Sequence, residues 1–134
     1  MKSSSTYHDL ALLFLRLVVG AVFLWAGYAK LFIWSAPMEG MTDNMILLIK
    51  FLSIVEPLGA VAIIFGFLTR WASAGLAVIM AGSLYFVYFV YHVPIFTGQT
   101  STGMDYNLLL LAGCTTLLAF GAGNWAVDKV LKKS

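Results

Sequence analysis

The chain has 134 residues, 61% of them hydrophobic and 10% charged, with a formal net charge of +2 and a mean hydropathy of +0.92. That balance excludes a water-soluble globular domain and makes lipid the solvent in which the fold must be understood. The small positive charge also excludes a nucleic-acid-binding surface, which needs clustered Lys and Arg.

A bilayer core takes about 20 apolar residues per helix, and the chain contains four runs of that kind. After a polar Ser3-Ser4-Ser5 start, expected to be irregular, the first spans residues 10–32; it is too long for a cleaved leader and carries Arg16 inside its apolar part. Trp34 and Pro37 open the loop SAPMEGMTDN, which cannot continue a helix. The second run spans 46–68, and Thr69-Arg70 forms a tight turn into the third, 71–93, which stops at His92-Val93-Pro94. Thr102 and Asp105 have the spacing of a capping box for the fourth, 103–121, and a short tail occupies 122–134. The expected architecture is an all-α, integral membrane four-helix bundle, antiparallel and up-down-up-down, in one domain.

Lys2, Arg70, Lys129, Lys132 and Lys133 fall on one side of such a bundle, whereas residues 33–45 and 94–104 contain no Lys or Arg. The positive-inside rule then puts both termini in the cytoplasm.

Ionisable groups inside a membrane are costly and mark function or a specific partner. Glu56 lies ten residues into the second run, roughly 15 Å from its start, and Arg16 six residues into the first, roughly 9 Å. A pair between them is the expected arrangement. It serves either as a register-fixing bridge or as a proton relay. Pro57 adds to it by leaving a carbonyl one turn back without its donor.

A second set gathers at the opposite end: Lys30, Lys50, Tyr91, His92, Asp105, Tyr106 and Asn107. Each has an ordinary role as a snorkelling cation, an aromatic-belt residue or a helix cap. Together, Lys30, Tyr91, His92, Asp105 and Asn107 supply the donors and proton route that a quinone needs beside a flat apolar slot. Tyr85, Tyr88 and Tyr91 share a broad face of the third helix, and Ser73, Ala74, Ala77 and Ala81 give it a small-residue face for close packing. With one cysteine, no disulfide or CxxC couple forms within the chain. His8 and His92 fall at opposite ends, which leaves no two-histidine metal or haem site, and phosphate-binding glycine motifs are absent.

LRLVVGAVFLWAGYAKLF, with Arg16, Gly20, Gly27 and Lys30, resembles the opening helix of the DoxX family of small four-helix bacterial membrane proteins. Glu56 with Gly59, Gly66, Leu68, Thr69 and Arg70 resembles that family's second helix, and FGAGNWAVDKVL, residues 120–131, its closing glycine-x-glycine and serine-x-aspartate segment. Asn124 stands where a basic residue is common, Ala126 where serine is usual, and Asp105 where a glutamate is expected. The resemblance implies an accessory, quinone-interacting subunit of an oxidoreductase complex in the bacterial inner membrane, with a protein partner or further copies of itself beside the lipid bilayer. A non-catalytic structural or assembly protein is the alternative. An oligomeric solute or ion carrier is the third.

Overall fold

The structure, a computed structural model, describes residues 2–36, 39–94 and 104–132, with side chains from residue 5 onward. The expectations for Pro37, for the loop from Ile95, for the Thr102 cap and for Lys133 fall outside the described residues. Helix α1 covers Lys2–Leu31 and begins well before the apolar run. The three serines expected to be irregular lie inside it, in a stretch that leads to Asp9 and Leu12, both buried. A 3-10 turn, Phe32–Trp34, closes the helix.

Helix α2 covers Asp43–Phe65, and the Thr42 side chain caps it by accepting from the Met45 amide. It stops at Gly66, whose φ of 71° only glycine adopts freely. There the Gly66 and Phe67 amides turn back to the Ala62 carbonyl. The turn is therefore 66–68, and Thr69 and Arg70, expected to form it, instead make the first turn of α3, Thr69–Tyr85. The shift has a physical cause: the Asp128 carboxylate accepts from the Leu68 amide at 2.8 Å and the Thr69 amide at 3.1 Å. Helix α3 thus takes its N-terminal cap from the far end of the chain.

A π-helical turn, Phe86–Val90, extends α3. Helix α4 covers Met104–Phe120 and a short α5 Val127–Leu131. Helices α1 and α2 are antiparallel, since Arg16 meets the Ile63 level and Lys30 the Glu56 level. Helices α3 and α4 run oppositely too, with Arg70 at Ala119 and Ser83 at Asn107. Phe23, Ile63, Leu76, Cys114 and Leu117 meet in the centre, and Trp25, Leu58, Val78 and Leu109 face outward, each 66% exposed or more.

A bundle that exposes Trp25, Trp34, Trp71 and Trp125 and most of its described Phe side chains reverses the rule for soluble proteins and suits a lipid surround. Residues 5–34, 43–65 and 69–90 are each long and apolar enough to cross a membrane, and α4 is a shorter apolar helix. The protein is an integral membrane protein. The α1–α2 seam is tight: a Cβ at Gly27 would lie 2.3 Å from Pro57 Cγ, and one at Gly20 2.3 Å from Ile64 Cγ1. Because the pyrrolidine ring cannot swing away, Gly27→Val is expected to cost roughly 1–3 kcal/mol, measurable by unfolding in detergent micelles.

Candidate functional site

Helix α1 is slid along α2, so that its last turn meets the middle of α2 rather than its start. The Gly27–Pro57 contact fixes this stagger. One turn beyond Gly27, Lys30 Nζ reaches Glu56 Oε2 at 2.5 Å, where the Glu56 side chain is 1% exposed and that of Lys30 26%. Away from water such a charge-assisted bond is short and strong, and each charge is tolerable only because of the other. Trp34, just past the end of α1, donates from Nε1 to Ser53 Oγ at 3.0 Å, and Ser53 donates in turn to the Lys50 carbonyl at 2.7 Å. Lys50 Nζ lies 5.6 Å from the Trp34 ring centroid, within cation–π range. The Tyr106 phenol of α4 is within electrostatic range of Glu56.

The expected Arg16–Glu56 pair does not form. Arg16 is fourteen residues before Lys30 on the same helix, roughly 21 Å further along the axis, and is therefore level with the C-terminus of α2. Its guanidinium, 2% exposed, donates to four carbonyls: Nε to Ile63 at 2.9 Å, Nη2 to Ile64 at 2.7 Å, and Nη1 to Ala122 at 3.0 Å and Trp125 at 2.7 Å. Two of these are carbonyls of α2's last turn, at the negative pole of its dipole, and the Ile63 carbonyl also accepts from the Gly66 amide. The other two belong to the glycine-rich loop after α4. Arg16 is a clasp, not a relay.

Asn107 and Asp105 have hydrogen bonds of their own. Asn107 Nδ2 donates to Ser83 Oγ at 3.1 Å, joining α4 to α3. The Asp105 carboxylate accepts from the Tyr106 amide at 2.9 Å. Tyr91 and His92 are exposed, and His92 has a φ of 51°. The π turn adds a residue to the helical repeat and rotates the residues beyond it by about 100°. Among the described residues no hydrogen bond or ion pair links Tyr91 or His92 to Lys30.

The tail is the feature that sequence reasoning missed. Gly121 and Gly123, at φ of 76° and 79°, fold residues 121–126 back beneath α1. The Asn124 amide and Nδ2 donate to the two Asp9 carboxylate oxygens at 2.9 and 2.7 Å. The amide at position 124 thus binds an acid across the bundle, and Asp128 caps α3 while its own amide donates to the Gly66 carbonyl at 2.9 Å. The legible signal was the pair of glycines bracketing Ala122, with an acid a few residues on. Asp128→Ala is expected to destabilise the fold by about 1–2 kcal/mol through loss of the cap, with faster amide exchange at Leu68 and Thr69 as the check.

The family model for DoxX matches residues 11–89, more than half of the chain, and that stretch contains Arg16, Lys30 and Glu56. The chain belongs to the DoxX family. It is also similar to the inner membrane protein YqjF of Escherichia coli strain K12, with 27% identity over 127 residues covering 93% of this chain and 95% of that one. No solved structure matches. The DoxX match takes in both the clasp and the ion pair and ends before α4 and the tail that Arg16 holds.

Proposed function

We propose that this DoxX protein is a quinone-interacting accessory subunit of an oxidoreductase complex in the bacterial inner membrane, with both termini cytoplasmic. The observation that carries the reading is the Lys30–Glu56 pair, a cation and an acid held inside the apolar bundle with only the lysine partly reachable from outside. A quinone carries two carbonyl acceptors on an apolar ring, and it travels in the same lipid that the outer face of the bundle meets. Lys30 offers a charged donor, Tyr106 a neutral one and Glu56 a proton acceptor, while the exposed Trp34 and Phe32 rings offer apolar area beside them. The residues present therefore fit the chemistry of a quinone headgroup. The YqjF name supports the inner-membrane location, and the distribution of Lys and Arg supports the orientation. With one buried cysteine and two histidines far apart, the chain offers no electron carrier, so in this reading electrons reach the quinone through a partner subunit.

A non-catalytic assembly role is the second reading, favoured by the same pair, because a buried bridge at a staggered seam also fixes helix register. Quinone retention separates the two. Protein purified from nanodiscs loaded with ubiquinone or menaquinone is expected to keep about one quinone per chain, and both Lys30→Met with Glu56→Leu and Glu56→Gln alone are expected to lose it. No retention by the unaltered protein, or equal retention by all three, would favour the assembly reading.

A further inference from the structure

The end of the bundle opposite the Lys30–Glu56 pair has a cleft of about 500 Å³ between the start of α1, the first turn of α3, the end of α4 and the tail. Three cations line it: Arg70, Lys129 and Lys132. Its two acids are already engaged. Asp9 accepts from Asn124, and Asp128 accepts from the Leu68 and Thr69 amides. Neither Lys129 nor Lys132 forms a salt bridge among the described residues, and Arg70 spends one Nη2 contact on the Ala119 carbonyl at 3.3 Å. Thr69 lines the same cleft at 1% exposure, and its Oγ1 has no hydrogen-bond partner among the described residues. Desolvating a hydroxyl without a partner is unfavourable, so its presence at the base of a cationic cleft points to a ligand that accepts. The rim carries Trp71 and Phe120, 78% and 62% exposed, side chains that belong against acyl chains.

We infer that this cleft binds a phosphoryl anion, held by Arg70, Lys129 and Lys132, and that the apolar rim commits it to the headgroup of an anionic phospholipid. The arrangement joins the two demands of such a lipid, charge neutralisation at the phosphate and apolar surface immediately beside it. The site is independent of the quinone reading, because none of its residues contacts Lys30 or Glu56.

The test uses the full chain in phosphatidylcholine nanodiscs containing a minor fraction of phosphatidylglycerol, with lipids retained after release counted by native mass spectrometry. The unaltered protein is expected to retain phosphatidylglycerol at least ten-fold above its share of the bilayer. The R70Q/K129Q/K132Q variant is expected to lose that enrichment, and the charge-keeping R70K/K129R/K132R variant to preserve it with the same circular dichroism. A parallel series in pure phosphatidylcholine is titrated with inorganic phosphate: a rise in Tm confined to the charge-bearing proteins, without phosphatidylglycerol enrichment, would assign the cleft to a free phosphate instead. Equal retention by all three proteins together with no charge-dependent phosphate shift would overturn the inference.

Discussion

Glu56→Leu alone is expected to be far more damaging than Glu56→Leu combined with Lys30→Met. The single change leaves an ammonium inside an apolar bundle with its partner gone, a cost of about 3–5 kcal/mol for a broken buried pair. The double change removes both charges and keeps comparable volume, so most of that loss should return, as it does when buried ion pairs are exchanged for packed apolar groups. Equilibrium unfolding in mixed micelles gives all four corners of the cycle. A coupling energy near zero would mean that the two side chains do not act as a pair. The double variant is also the appropriate background for function, since it should fold and yet lack both proposed quinone contacts.

Arg16→Leu is expected to be strongly destabilising as well. Four carbonyls, from Ile63, Ile64, Ala122 and Trp125, lose the guanidinium together, and of these Ile63 still accepts from the Gly66 amide. At about 1 kcal/mol or more for each of the other three groups left unsatisfied, the loss should reach roughly 3 kcal/mol. Arg16→Lys should recover little, because a single ammonium cannot reproduce the fork that spans two segments. Hydrogen exchange locates the damage. Amides of residues 121–128 should lose protection along with the end of α2, whereas the Lys30–Glu56 end should exchange as before. Uniform loss of protection across the bundle would instead make Arg16 part of one global folding unit.

The bundle was legible in the sequence because lipid leaves a chain little choice: each apolar run must satisfy its own backbone, and four runs of that length become four helices. Boundaries were less so. Thr42 and Gly66 are ordinary local signals, but the start of α3 is set by Asp128, roughly sixty positions away, and no window along the chain contains that information. Pairing by residue type failed at Arg16 because two facts are invisible in one dimension. Helices α1 and α2 are staggered by the fit of Pro57 against Gly27, which brings Lys30 rather than Arg16 level with Glu56. An arginine also needs no acid when helix-terminal carbonyls converge on it. The quinone set of Lys30, Tyr91, His92, Asp105 and Asn107 rested on equal depth; in the structure Lys30 meets Glu56, Asn107 meets Ser83, and a π turn precedes Tyr91 and His92. The roles of Asn124 and Asp128 were not legible because their partners, Asp9 and the α3 amides, are distant in sequence.

The account turns on which cation holds Glu56. Solid-state NMR on protein in lipid bilayers, with 15N in the lysine and arginine side chains and 13C in the Glu56 carboxyl, measures this through dipolar dephasing. Strong dephasing of the Glu56 carboxyl by a lysine Nζ, abolished in Lys30→Met, is the predicted result. Dephasing by the guanidinium nitrogens, abolished in Arg16→Lys, would contradict the account, restoring the Arg16–Glu56 pair and removing the proposed quinone contact from Lys30.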